Sequence, residues 1–339
     1  MARFGVIGGG AWGTALAMHA TRLGHRVTIW ARETDVVNDV NTLHENRTFL
    51  PGITLPEALD ATTDMLAAVR DADVVLLVPP SAHVRSVSKQ IAPALREDAY
   101  IVVASKGIEE SSLELLSTVL SETLPSHSAR GRVCFLSGPS FAKEVANGLP
   151  TDVVLASKPV EAAAAVQAML HAPTFRVYDS TDPIGVQVGG ALKNVIAVAA
   201  GACDGLGLGS NARAALITRS IAEITRMGTS LGAEPITFMG LSGVGDLILT
   251  CTGDLSRNRT LGLKIAEGID PSTYVASQKT VAEGYHTSAA AWHLAQRRGI
   301  DMPVTEQVYA VLHEGRSLHE AMWRLLQREF KGEFRGIRQ

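Results

Sequence analysis

One lysine stands inside a stretch with no other charge. Residues 185–202 read GVQVGGALKNVIAVAAGA, with Lys193 and Asn194 in the middle. A helix that is small or aliphatic on every face is buried all round. Burying an ammonium is expensive unless it is paired or neutralised, so packing alone gives no reason to keep one there. Desolvation also lowers a lysine's pKa, which makes it usable as a proton acceptor. Asn194 reads either as a positioner or as a satisfied buried amide. A second pattern opens the chain: the apolar run FGVIG, then Gly8-Gly9-Gly10-Ala11-Trp12-Gly13, then the helical TALAMHATRLG. This is Gly-x-Gly-x-x-Gly between a strand and a helix. Gly8 permits the tight turn, Gly10 lets the backbone approach a pyrophosphate, and Gly13 lets helix and strand pack closely. The helix N-terminus adds amide donors and a positive dipole end. A bare glycine-rich turn is the plainer reading, but the place of the motif favours a bound dinucleotide. Lysine and loop together point to an enzyme that moves a hydride and a proton.

Further candidates sit where apolar runs end. The second run ends Ile29-Trp30-Ala31-Arg32-Glu33. An acid there suits the ribose hydroxyls of NAD(H), whereas an arginine suits a 2′-phosphate. Arg32 favours NADP(H), Glu33 keeps NAD(H) open, and Arg32 also reads as a solvated surface residue. Lys106 directly follows the run Tyr100–Ala104, as a site lysine or a surface one. Gly138 and Ser140 follow Val133–Ser137 and offer an amide and a hydroxyl, or form a simple turn. Asp246 lies in the glycine-rich apolar segment GVGDL, as a partner for Lys193 or as a helix-start aspartate bonded to local amides. Ser256-Arg257-Asn258-Arg259 joins small polar donors to arginine forks that match phosphate oxygens, although the residues by themselves slightly favour a capped helix with solvated arginines. Trp12 and Phe49 are cofactor walls or core anchors.

The elements that must carry these residues change character along the chain. Apolar runs at Arg3–Gly8, Arg26–Ala31, Asp73–Val78, Tyr100–Ala104, Val133–Ser137, Asp152–Ala156 and Thr174–Tyr178 alternate with helical stretches at Gly13–Leu23, Ala82–Leu95, Leu113–Leu124 and Val160–Leu170. Continuous apolar strands with intervening helices predict an α/β domain with a mostly parallel sheet, its ligands at the strands' carboxyl ends. Beyond about residue 180 only helices are expected, at Gly185–Ala202, Asn211–Leu231, Val244–Cys251, Arg257–Glu267, Ser288–Arg298, Val304–His313 and Leu318–Arg328. Ser317 with Glu320 reads as a capping box, and Pro303 suits a first helical turn. The expected division is 1–182 for dinucleotide binding, 183–330 for an all-α substrate domain and 331–339 for a frayed tail.

Composition limits the function classes. The chain has 339 residues, 46% of them hydrophobic and 19% charged, with a net charge of −3. No bulk basic field argues for nucleic acid. The cysteines Cys134, Cys203 and Cys251 match no metal spacing and suit a reducing compartment. No signal-peptide pattern opens the chain, and Lys193 interrupts the longest apolar run. The expectation is a cytoplasmic protein without metal or membrane insertion.

Segments in both halves together resemble the bacterial-type, soluble NAD(P)-dependent glycerol-3-phosphate dehydrogenases. They are GGGAWGTALA, the lysine of ASKGIE, LSGPSFAKEVANGLPT, GVQVGGALKNVIAVAAGACDGLGLGSNARAALITR, GLSGVGDLILTC, SRNR at 256–259 and VAEG at 281–284. The resemblance implies a Rossmann-type domain followed by a helical domain like that of 6-phosphogluconate dehydrogenase. It implies interconversion of dihydroxyacetone phosphate and sn-glycerol 3-phosphate for phospholipid synthesis, with NADPH or NADH. Lys193 would be the proton acceptor in the oxidising direction, and Lys106 would contact substrate and cofactor. Gly138, Ser140, Asp246, Ser256, Arg257 and Asn258 would complete the substrate site. Ala11, Trp12, Arg32, Ala142, Arg257, Val281 and Glu283 would touch the dinucleotide beside Gly8, Gly10 and Gly13. Homodimers occur in the family. Two other readings compete: another β-hydroxyacid or 6-phosphogluconate-type dehydrogenase, since fold analogy alone does not separate such enzymes, and a non-catalytic dinucleotide sensor, which would need no buried lysine.

Overall fold

The computed structural model describes residues 1–278 and 280–328; the segment 331–339, read above as a frayed tail, lies outside them. The chain divides into two compact units, residues 1–105 with 116–183, and residues 106–115 with those from 184 onward.

The first unit is built on one eight-stranded sheet. Its strands are β1 (Arg3–Ile7), β2 (Arg26–Trp30), β3 (Leu59–Thr62), β4 (Val74–Leu77), β5 (Tyr100–Val103), β6 (Val133–Ser137), β7 (Thr151–Ser157) and β8 (Phe175–Ser180). Their order is β8-β7-β6-β5-β4-β1-β2-β3. All pairings are parallel except β6 with β7, where Cys134 faces Ser157. Central strands such as β4, VVLL, are buried at every residue, as expected where helices cover both faces. The chain runs outward through β2 and β3, then returns to lay β4 on the other side of β1. Order reverses beside β1, and a crevice for ligands opens at such a point. Helix α1 (Ala11–Arg22) follows β1 there. Gly8 has φ +128°, and a Cβ on Gly13 would lie 1.9 Å from the Gly8 carbonyl oxygen. Both glycines are therefore required by the turn itself.

The sequence pattern misses β3 and the helix Thr34–Leu43. The edge strand LDAT alternates buried and more exposed residues and carries a single large apolar side chain. The expected helix Leu113–Leu124 starts only at Leu116. Leu113 has φ +63°, and Glu114–Leu115 pairs with Ile108–Glu109 as a short antiparallel hairpin. That hairpin belongs to the second unit and begins with Lys106, an excursion that a single boundary at 182–183 does not contain.

The second unit wraps helices around α2 (Pro183–Gly205), buried on every side along Val186–Val198. This helix is long and apolar enough to cross a membrane, yet 94% of that window is buried inside the unit. Around it stand α3 (Gly209–Ser230), α4 (Asp246–Thr252), α5 (Arg257–Ala266), α6 (Glu283–Arg298), α7 (Pro303–His313) and α8 (Leu318–Leu326). The helix expected over Val244–Cys251 starts two residues later: a separate wide turn runs over 241–245, with Gly243 at the non-helical φ −95° and ψ −105°, and α4 begins at Asp246. Ser256 caps α5 through Arg259 N, and Ser317 caps α8 through Glu320 N. Glycines set the depth of packing. A Cβ on Gly189 would meet Ser242 O at 2.3 Å, and one on Gly262 would meet Val198 O at 2.0 Å. Backbone thus lies on backbone where α2 meets the 242–243 turn and α5.

Gly262→Ala tests that contact. Helix propensity alone favours alanine by about 1 kcal/mol. The contact with a backbone oxygen outweighs it, so a net loss of about 1–3 kcal/mol is expected. A urea midpoint that stays put or rises would show that the two helices can separate freely.

Candidate active site

Three of the residues singled out in the sequence meet inside the second unit. Lys193 Nζ, on α2, lies 2.5 Å from Asp246 Oδ1, and Lys106 Nζ lies 2.6 Å from Asp246 Oδ2. Each carboxylate oxygen thus takes one ammonium. Asp246 is the first residue of α4; its side chain is spent on the lysines, which decides between its two readings. Lys106 is not a surface lysine, since only 16% of its side chain is exposed. Thr250, one turn after Asp246, accepts from Lys193 Nζ at 2.9 Å and donates to the Asp246 carbonyl at 2.6 Å. Sequence reasoning passed over Thr250, although its i+4 spacing from Asp246 places both on one helix face.

Two ammoniums share one carboxylate. Burial pushes the Lys193 pKa down to about 8, with the Lys106 charge adding to it and Asp246 opposing. Burial pushes the Asp246 carboxyl up, but the Lys106 and Lys193 charges outweigh it and hold it below its ordinary value. The result is a buried amine that exchanges a proton near neutral pH beside a fixed carboxylate.

A second network adjoins Lys193 in sequence. Asn258 Nδ2 donates to Asn194 Oδ1 at 2.8 Å, and Gly284 N donates to Asn258 Oδ1 at 2.9 Å. This ties α2, α5 and α6 together, and Gly284 is the glycine of VAEG. Both asparagines are buried, and Asn194 is a satisfied amide that also joins elements. Val281 and Glu283 lie at the start of α6. The two arginines of SRNR differ. Arg259 is bound to Asp204 and Asp254. Arg257 opens α5, is exposed, and makes no hydrogen bond or ion pair among the described residues. Desolvation lowers the Arg257 pKa, and the Glu283 charge opposes it.

The remaining candidates lie in the first unit. At the glycine-rich loop α1 has no side-chain cap, and a Cβ on Gly10 would meet nothing within 4 Å. The first amides of the helix therefore lack intrahelical partners, and Trp12 Nε1 is buried without a partner. Free donors around an open glycine fit a dinucleotide pyrophosphate. Arg32 is bonded to Glu33 at 2.9 Å, with 80% of its side chain exposed. Gly138 has φ +124°, Ser140 Oγ donates to the Gly138 carbonyl at 2.9 Å, and Ala142 opens the helix Ala142–Ala146. Phe49 packs against the first unit's core. No group of three or more potential metal ligands occurs among the described residues.

Comparison with known proteins covers nearly the whole chain. Residues 3–163 match the family described as NAD-dependent glycerol-3-phosphate dehydrogenase N-terminus, and residues 182–323 match its C-terminus. A glycerol-3-phosphate dehydrogenase [NAD(P)+] of Geobacter sulfurreducens is 51% identical over 98% of both chains. One from Nitratidesulfovibrio vulgaris is 48% identical over 98% of this chain and 100% of its own. Among solved structures, glycerol-3-phosphate dehydrogenase of Coxiella burnetii superposes with a TM-score of 0.91 at 38% identity, covering 96% of this chain and 99% of that one.

Proposed function

The chain belongs to the NAD-dependent glycerol-3-phosphate dehydrogenase family, and from that membership we propose how it interconverts dihydroxyacetone phosphate and sn-glycerol 3-phosphate. Lys193 gives and takes the proton at the C2 oxygen. The observation that carries this is a desolvated lysine with a pKa near 8, held between a carboxylate and a hydroxyl.

The bound dinucleotide supplies the hydride at C2. The first unit holds it: the Gly8–Gly13 amides take the pyrophosphate, with Ala11 and Trp12 alongside and Arg32 at the ribose end. Ala142, in the same unit, is a further contact in this reading. The second unit holds the substrate. Arg257 and the free amides at the start of α5 take the phosphate, with Ser256 and Asn258 beside them. Asp246 orients Lys193 and Lys106 through one oxygen each. Gly138 and Ser140 are additional substrate contacts. In reduction, Lys193 as ammonium donates to the oxygen on which negative charge develops. In oxidation, neutral Lys193 removes the hydroxyl proton.

We infer a homodimer from α3. No residue from Gly209 to Arg219 is buried, although Ala212, Ala215, Leu216 and Ile217 lie there. This half-helix lines an apolar groove of about 860 Å³ with Val308, Val311 and Leu325. A second copy on a two-fold axis would cover it. The three cysteines are free and buried, which suits the reducing cytoplasm.

Four outcomes are expected. Lys193→Ala lowers kcat by about 10²–10⁴-fold while the Kd for NADPH holds. In the intact enzyme the reduction rate falls as pH rises through about 8, where the ammonium is lost, and the oxidation rate rises; flat profiles, or near-normal turnover in the variant, would remove Lys193 from the chemistry. Arg32→Ala weakens NADPH more than NADH in a direct binding titration, and equal loss would show that Arg32 does not read a 2′-phosphate. Light scattering gives twice the chain mass for the intact protein and a single chain for Ala215→Arg; a monomer in both, or a dimer in both, removes this groove as the interface.

A further inference from the structure

Asn46 is fully buried in the first unit, and its side chain is fully engaged. Its Nδ2 donates to the Gly9 carbonyl and to Thr14 Oγ1, each at 2.8 Å, and its Oδ1 accepts from Phe49 N at 3.0 Å. The Phe49 amide can only donate and the Gly9 carbonyl can only accept. The two ends of the asparagine amide are thereby fixed, and a carboxylate could not replace it. The segment that carries Asn46 is anchored on its own account. Glu45–Asn46 pairs with Leu50–Thr54 as a two-stranded ribbon. Arg47, the next residue, holds Asp39 of the helix Thr34–Leu43 with two hydrogen bonds of 2.6 and 2.9 Å.

The consequence falls on the loop. In a trans peptide the C=O and N–H of one plane point in opposite directions. Holding the Gly9 oxygen on Asn46 therefore turns the Gly10 N–H away from Asn46. Gly10 is the loop residue with open space around it, and its amide makes no hydrogen bond among the described residues. Two successive glycines leave this peptide free to rotate unless something grips it. Thr14 Oγ1 reaches the same Gly9 oxygen only at 3.4 Å. We infer that Asn46 is a positioning residue for the dinucleotide, locking the Gly9–Gly10 peptide so that the Gly10 amide is presented to the pyrophosphate. The inference rests on the loop being the dinucleotide site.

Asn46→Ser and Asn46→Asp test it. Serine keeps an acceptor for the Phe49 amide but is too short to hold Gly9. Aspartate sets an oxygen against the Gly9 oxygen, and its buried charge puts folding at risk, so Asn46→Ser is the primary variant. Kd for NADPH and for NADH is measured by titration, with melting temperature as a control and kcat and KM taken at saturating dinucleotide. Loss of one well-placed hydrogen bond is expected to raise both Kd values by the same factor, about tenfold. KM for dihydroxyacetone phosphate should change far less. Unchanged Kd in a folded variant, even with a lower melting temperature, would reduce Asn46 to a structural residue. Unequal loss between the two dinucleotides would place its effect at the ribose rather than the pyrophosphate and overturn the proposal. Failure of the unaltered protein to bind either dinucleotide would instead remove the underlying reading of the loop.

Discussion

A single buried carboxylate shared by one buried and one half-buried ammonium governs the arrangement of the helical unit. Asp246 is 0% exposed and Lys193 7%; neither could be held there charged without the other. The surroundings serve that contact. Gly189 lets α2 lie against the 242–243 turn, and α4 starts just after the wide turn over 241–245, with Asp246 facing Lys193. The hairpin at 106–115 delivers the second ammonium to the other carboxylate oxygen. Every one of these features shortens a distance that electrostatics requires to be short, since interactions in a low-dielectric interior strengthen steeply as charges approach.

Burial and charge act against each other on Lys193. Burial lowers its pKa to about 8, the Asp246 charge opposes that fall and the Lys106 charge adds to it. The carboxylate that admits an ammonium to an apolar interior thus also limits how far the ammonium is destabilised there.

Local chemistry was legible in the sequence and long-range pairing was not. The glycine loop, the buried lysine and the Ser256 cap each follow from a few consecutive residues. Lys106 stood out only as a lysine after an apolar run, because its partner is 140 positions away. Residue type alone does not separate the two arginines of SRNR; the resemblance singles out Arg257, and the structure adds that Asp204 holds Arg259. Thr250 and the Asn258–Asn194–Gly284 chain passed unnoticed because threonine and asparagine are unremarkable until a structure shows what they touch. Asn46 carries no sequence signal of its own, because the Gly9 carbonyl that it holds is 37 positions away.

Stability does not explain the charged cluster. Replacing a buried ion pair or triad with well-packed apolar residues is often neutral or stabilising by about 1–4 kcal/mol. The glycines around it differ: each lowers helix propensity by about 1 kcal/mol relative to alanine, but Gly189 and Gly262 allow backbone contacts that a Cβ would block. The apolar core of the unit, from Val188 through Leu192 and Val195 to Leu247 and Leu261, offsets both costs. The charged cluster is thus held in place by apolar packing and close backbone contact.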